Sequence, residues 1–523
     1  MDHHLILREI ISRIFSQDST VPVERIKLEV CRKYGTSPIP KNSAVLAAAE
    51  PDEWEMLRTV LLVKPTRTIS GVAPLAVMTS PAPCPHGKCL PCPGGPDHPY
   101  HSPQSYTGEE PAALRGREHA FEPYAQVTAR LAQLAALGHR VGKAELIVMG
   151  GTITARTVDY QSWFVTRCIA AMNDFPRSVP EPARSIEDTA AANEAAQVRC
   201  IGITFETRPD FCGTREIDTM LSLGVTKVEL GVQHVDDGIL SFNRRGCTVA
   251  DTERANRLLR DAALKVGFHV MPNLPASTLA ADRAMFLSLF SDPRFCPDFL
   301  KIYPTLVTPG SLIETLWQSG AYTPYAEEEL VELIAYAKSV LPEYVRLQRV
   351  QRDIPAKLIS AGSRHSNFRQ LARKHLEGSG GSCRCIRCRE AGRAPPPDRI
   401  DVGIKRYDCC GGVEHFISAG SPDTLIGFAR LRFPFRPYRT ELDGAALLRE
   451  LHVYGGAVPV GKGPNGQEWQ HRSYGAILLS QAEEIAAQEG YGSIAVMSGI
   501  GVRPYYRRQG YERVGPYMIK RIR

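Results

Sequence analysis

The sequence predicts an α/β chain in which a partial or complete β/α barrel is followed by a smaller α+β domain. Three observations carry this reading. From Glu145 onward, strand patterns alternate with helical sequence: ELIVM (145–149), RCIGITFET (199–207), KVELGV (227–232), VGFHVM (266–271) and FLKIY (299–303). Repeated β/α units lay parallel strands under helices, and about five or six of them favour a barrel over a flat doubly wound sheet. A stretch of Gly, Ser, Pro and Cys, GSGGSCRCIRCREAGRAPPP, then marks a boundary before Asp401. Beyond it, EHFISAG, TLIGFARLRF and LLRELHVYG give closely spaced strands, ahead of a helix at 474–489, the strand SIAVMS and a short helix near 502–508. With 523 residues the chain exceeds one ordinary core. The expected division is 1–75 as an N-terminal helical region, 76–345 as the barrel, 346–400 as a basic metal-binding linker and 401–523 as the α+β domain.

At the N-terminus Leu5, Ile6, Ile10, Ile11 and Ile14 recur at helical spacing. Charged residues interrupt this stripe and no small-residue cleavage site follows, so it is not read as a signal peptide, and a cytoplasmic protein is expected. No apolar run approaches the roughly 20 residues that span a bilayer. The stretch Pro81–Pro111, rich in Pro, Gly and Cys, reads as an ordered loop.

Fourteen cysteines in such a chain argue against a disulfide framework. Cys168, Cys200, Cys212 and Cys296 stand singly among apolar neighbours, where burial is their ordinary role. Two groups have ligand spacing. Cys84, Cys89 and Cys92 form C-x4-C-x2-C: three thiolates leave one iron of a four-iron cluster open, whereas zinc would need a fourth ligand such as His86 or His98. Cys383, Cys385 and Cys388 look like a structural zinc site whose fourth ligand is His365, His375, Cys296, Cys409 or Cys410.

Between Arg346 and Arg393 stand 12 Lys or Arg against 3 Asp or Glu, a local excess larger than the net +7 of the whole chain. Such concentration favours a polyanionic partner. Arg349, Arg352, Lys357, Arg364, Arg369 and Lys374 are the expected phosphate contacts, which position a nucleic acid without reading its sequence.

A three-cysteine loop at the mouth of a β/α barrel resembles the radical S-adenosylmethionine (SAM) superfamily, although most members have a shorter first gap. The resemblance implies a 4Fe-4S cluster whose open iron chelates SAM, with Gly150 and Gly151 near the methionine amine. The α+β domain resembles GNAT acetyltransferases. Gln470 to Ala476 is similar to their pyrophosphate loop, although a helix start with Ser473 as N-cap explains the same stretch. The resemblance implies acetyl-CoA along Glu450, Leu451, His452 and Val453 and at Tyr474, Gly475 and Ala476, Tyr506 as the acid for the departing thiolate, and Glu450 or His452 as a base.

A barrel followed by such a domain is a rare pairing. With CLPCPGGPD (89–97), QSYTGEEP (104–111), ITFETRPD (203–210), VELGVQ (228–233), LQRVQRDIP (347–355), RELHVYG (449–455) and GPYMIK (515–520), the chain resembles the family of the Elongator catalytic subunit, in its stand-alone bacterial or archaeal form. That resemblance implies carboxymethylation at C5 of the tRNA wobble uridine: a SAM-derived radical takes hydrogen from the acetyl methyl group, the carbon adds to C5, and the thioester is hydrolysed. Expected partners are the tRNA anticodon loop and an external electron donor, and a homodimer is left open. A protein-lysine acetyltransferase with a structural cluster is the rival reading. Lys143 matches a family acetyl-CoA contact, while Glu206, Arg208, Gln233 and Tyr303, at strand ends, are expected to meet SAM or uridine; Glu206 and Arg208 could instead pair with each other. At Ser473 and Ala276 the chain departs from the glycine expected.

Overall fold

The protein is described by a computed structural model covering residues 3–16, 21–97, 101–177, 184–365, 367–394, 397, 399–454 and 473–522. Four short helices open the chain, His3–Ser16, Val23–Tyr34, Asn42–Ala47 and Trp54–Leu61. Their amphipathic faces bury Ile6, Ile10 and Ile11 against Val30, Val45, Leu57 and Leu61. Leu5, expected on the apolar face, is exposed.

Seven parallel strands follow: β1 (Ala73–Met78), β2 (Lys143–Met149), β3 (Arg199–Thr207), β4 (Lys227–Gln233), β5 (Lys265–Val270), β6 (Phe299–Ile302) and β7 (Arg346–Val350). Each pairs only with its sequence neighbours, so the sheet is an open, partial barrel among the described residues. Two strands lie outside the expected set. β1 begins ahead of residue 76, and β7 pairs in parallel with β6, Phe299 with Arg346 and Ile302 with Val350. The barrel therefore runs past residue 345 into the segment read as a linker. Charge hid β7: in RLQRV only Leu347 and Val350 are buried. Outward residues such as Val148, Phe205, Leu230 and Phe268 pack under the helices, among them Val158–Asp174 and Val249–Asp261, capped by Thr157 and Thr248.

The inward face is polar. Glu145, Lys227, Glu229, Glu206 and Lys301 form a continuous string: Lys227 Nζ reaches Glu145 at 2.9 Å and Glu229 at 3.3 Å, and Lys301 reaches Glu229 and, at 3.1 Å, Glu206. A barrel lumen filled with paired charge tolerates burial because each charge has a partner.

The second sheet contains β8 (Asp401–Cys409), β9 (Gly412–Gly420), β10 (Leu425–Phe433), β11 (Ala445–Val453), β12 (Ser493–Val496), β13 (Glu512–Val514) and β14 (Tyr517–Arg521), in the order β13-β14-β12-β11-β10-β9-β8. Only β11 and β12 are parallel, joined through the helix Tyr474–Gln488. Their ladder ends at Leu448 opposite Val496, so Arg449–Val453 run on beyond it.

A fully buried ionic seam joins the two sheets. Arg449 donates to Asp298 at 2.7 and 2.8 Å and to Glu414 at 2.8 Å, Arg260 reaches Glu414 at 3.0 Å, and Arg432 reaches Asp261 at 2.7 Å. Cys296, Cys409 and Cys410 lie at this seam, with Cys409 and Cys410 sulfurs 3.7 Å apart and Cys410 N–H donating to Pro293 O.

Candidate active site

The loop after β1 brings Cys84, Cys89 and Cys92 to the carboxyl ends of the strands, where they line one cavity of about 390 Å³ with Gly151, Glu206, Gln233, Tyr303, Arg349 and Arg352. The thiols are surrounded by donors suited to thiolates. Gln104 Nε2 stands 2.9 Å from the Cys92 sulfur, and Arg245 Nη1 3.9 Å from that of Cys89. Burial raises the Cys84 thiol pKa, partly offset by Thr152 at 3.7 Å. His86, the alternative zinc ligand, has its Nδ1 against the Arg208 guanidinium and its Nε2 3.0 Å from the Cys89 sulfur. Burial and then Arg208 lower its pKa to about 4. His98 lies outside the described residues.

Gly150 and Gly151 have φ of 129° and 91°, and a Cβ on Gly150 would collide with Thr79 Oγ1. Gly151 lines the cavity, and the close approach of Thr79 leaves no room for a side chain at position 150. Gln233 ends β4 at φ 70°, and its buried Oε1 has no partner among the described residues. A left-handed, non-glycine residue with an unused acceptor in a cavity is a binding feature. Glu206 accepts from Tyr106 Oη at 2.8 Å and from Lys301, whereas Arg208 pairs with Asp210 at 2.7 Å, so the suggested Glu206–Arg208 ion pair does not form. Three thiols lining one cavity, donors against Cys89 and Cys92 and a glycine turn beside Cys84 fit an open iron–sulfur cluster holding SAM.

Lys143 stands at the other end of the barrel, opposite Arg199 in the ladder, away from the cysteine loop. Burial and then Arg199 lower its pKa. That end faces the second sheet: Gly501, before the helix Arg503–Arg508, packs on Arg199. Here Glu450 accepts from Arg430 at 2.8 Å. Burial alone would raise its pKa, but Arg430 and Lys265 outweigh burial and hold the carboxylate ionised. His452 is brought to a pKa of about 4 by burial, and its Nε2 has no partner among the described residues. Of the two bases considered, His452 is thus the neutral one. Gly475, at the start of the helix Tyr474–Gln488, faces Tyr505 Oη and Val453, at 3.2 and 3.9 Å from its Cβ position. Tyr506 is 5% exposed and packs in the core between Tyr505 and Tyr511, and burial raises its pKa. The Tyr505 hydroxyl is buried beside Gly475 and has no hydrogen-bond partner among the described residues. Ser473 keeps the left-handed φ of 62° that glycine favours and makes no capping bond, which sets aside the N-cap reading. Gln470 to Arg472 and Gly455 lie outside the described residues. Ala276 likewise keeps a glycine-like φ of 69°.

The six basic residues separate. Arg349, paired with Asp353, and Arg352 line the cavity. Arg369 turns inward, donating to Leu347 O beside the Cys383 group. Lys357 reaches Glu109 at 2.7 Å, and Arg364 and Lys374 are exposed. The sulfurs of Cys383, Cys385 and Cys388 lie within 4.8 Å of one another, with Lys338 Nζ 4.0 Å from Cys388. Of the suggested fourth ligands, His365 pairs with Glu327 at 2.9 Å and the remaining cysteines belong to the interdomain seam. Such convergence suits one tetrahedral ion; among the described residues no fourth His, Cys, Asp or Glu, His375 included, joins the three.

A three-cysteine cavity at the strand ends of a parallel partial barrel defines a radical SAM protein. The radical SAM superfamily matches residues 84–286, its C-terminal domain 297–378, and the ELP3 N-terminal domain 3–69. A tRNA uridine(34) acetyltransferase of Methanocaldococcus infernus is 46% identical over 99% of both chains, and human Elongator complex protein 3 is 40% identical over 97% of this chain and 94% of that one. A solved structure of the Methanocaldococcus infernus Elp3 lacking its N-terminus aligns with a TM-score of 0.76 at 43% identity, covering 87% of this chain and all of that one. The chain belongs to the Elongator complex protein 3 family.

Proposed function

We propose that the chain is a cytoplasmic tRNA-modifying enzyme that attaches the acetyl methyl carbon of acetyl-CoA to C5 of the wobble uridine, leaving a carboxymethyl group after thioester hydrolysis. The observation that carries this reading is the coexistence in one chain of the cysteine cavity and a β11 strand that runs on beyond its ladder with β12, in a family whose relatives are named for tRNA uridine. When bound, the cluster and SAM would supply the radical that activates the methyl group. Cys84, Cys89 and Cys92 would hold the cluster, Gln104 and Arg245 would stabilise its thiolates, and Gly150, Gly151, Glu206 and Gln233 would seat SAM.

In the second domain Glu450–Val453 and the helix start at Tyr474–Ala476 would bind acetyl-CoA. His452, held neutral, would take a proton from water during hydrolysis, and the tyrosine pair would return one to the thiolate. Cys383, Cys385 and Cys388 would hold structural zinc, and Lys357, Arg364, Lys374 and the N-terminal helices would meet tRNA phosphates. An external reductant is required. A lysine acetyltransferase gives the cavity no task.

Trideuterated acetyl-CoA tests the reading. Deuterium should appear in 5′-deoxyadenosine only when tRNA is present. SAM cleavage with tRNA but without deuterium transfer would overturn it.

A further inference from the structure

The cavity mouth holds two tyrosines that the thiol chemistry does not use. Tyr303 ends β6, fixed by its N–H to Val270 O at 2.8 Å. Its ring stands edge-on to His269, 5.4 Å between centroids at 80°, and His269 is held by Glu229 at 2.9 Å. Tyr106 is fixed by its hydroxyl to Glu206. The Arg352 guanidinium, on the turn after β7, lies 5.7 Å from the Tyr106 ring and 5.9 Å from the Tyr303 ring. Arg352 donates to Ser105 O and, among the described residues, has no carboxylate partner, unlike Arg346 and Arg349 beside it. A planar cation thus rests on two immobilised aromatic rings beside the cysteines, held by one carbonyl.

An unstacked base is also planar, and aromatic rings with arginine are what proteins use to receive one. We propose that Tyr303, with Tyr106 and Arg352, forms the slot for the flipped wobble uracil: the base stacks on Tyr303 where the guanidinium rests in the base-free protein, and the displaced Arg352 turns to a flanking phosphate. This deepens the proposed function and rests on it. Exchange of one planar group for another keeps both rings covered, and the released guanidinium gains a charged acceptor that it lacks in the free protein. Stacking does not read base identity, so the slot positions C5 and leaves discrimination to other groups.

The test uses the full chain and an anticodon stem-loop RNA carrying photoreactive 4-thiouridine at the wobble position. The crosslink should map to the peptide holding Tyr303 or Tyr106. Tyr303→Leu should weaken RNA binding roughly 5- to 100-fold and abolish that crosslink, while Tyr303→Phe, which keeps the ring, restores both. RNA that binds but crosslinks only outside the cavity overturns the slot while leaving a tRNA substrate intact. A Tyr303→Phe protein that behaves like Tyr303→Leu also overturns it, since the ring would then not be the contact. Failure of the wild-type chain to bind the RNA overturns the slot and the proposed function together.

Discussion

Asp298→Asn removes one negative charge from a seam that balances without remainder. Arg260, Arg430, Arg432 and Arg449 face Asp261, Asp298, Glu414 and Glu450, and all but Glu450 are essentially without solvent contact. Asp298 accepts two bonds from Arg449 and one from Val266 N–H, and it lies 3.4 Å from Arg260 and 3.6 Å from Arg430. An asparagine of the same shape leaves one guanidinium charge uncompensated and turns an NH2 group toward donors. Breaking a buried pair from one side costs roughly 3–5 kcal/mol, which lowers the folding equilibrium by about two to four powers of ten. Urea unfolding followed by circular dichroism should show the first transition at lower denaturant. Burial alone would raise the Asp298 pKa, but Arg260, Arg449 and Arg430 hold it well below the usual range. A depressed carboxylate stabilises the fold above its unfolded pKa of about 3.9 and loses that contribution as pH falls toward its folded value. The wild-type and variant stabilities should therefore converge on acidification below about pH 4. A loss under about 1 kcal/mol at pH 7, or a pH-independent difference, would refute the reasoning.

Gly150→Ala should lose SAM binding, measured by equilibrium dialysis, because its Cβ meets Thr79 Oγ1 at a left-handed φ. Ala276→Gly should raise stability by about 0.5–1 kcal/mol in urea titration, since the φ of 69° costs alanine more than glycine's extra chain entropy does. Charge reversal at Lys357, Arg364 and Lys374 together should flatten the dependence of log tRNA affinity on log salt by roughly two to three, whereas reversal of the inward-turned Arg369 should act on stability instead.

The apolar strands β2 to β6 were legible because their outward faces are buried under helices and helical sequence alternates with them, whereas β1, apolar too, is followed by a long loop and not by a helix. β7 was not, because a strand facing a charged lumen carries arginines at alternate positions and imitates a basic surface. The same ambiguity misplaced Arg369, since composition counts charge without showing which way it points. The cysteine loop was readable from spacing and the glycine pair from its likeness to a family element, whereas Arg245 comes to the Cys89 thiol from a distant part of the chain and Gln104 reaches Cys92 by a fold of the loop that spacing does not show. Ser473 and Ala276 mark the reverse case: the residue type departs from glycine, yet the backbone keeps glycine's conformation because the surrounding loop fixes it.

If one chain joins acetyl-CoA and SAM chemistry on a wobble uridine, the product is visible by mass spectrometry of tRNA nucleosides after anaerobic incubation of the cluster-loaded protein with tRNA, acetyl-CoA, SAM and dithionite. Carboxymethyluridine should form with the wild type and not with Cys89→Ala. Unmodified uridine in the wild type, with the cluster verified by spectroscopy, would contradict the proposed function.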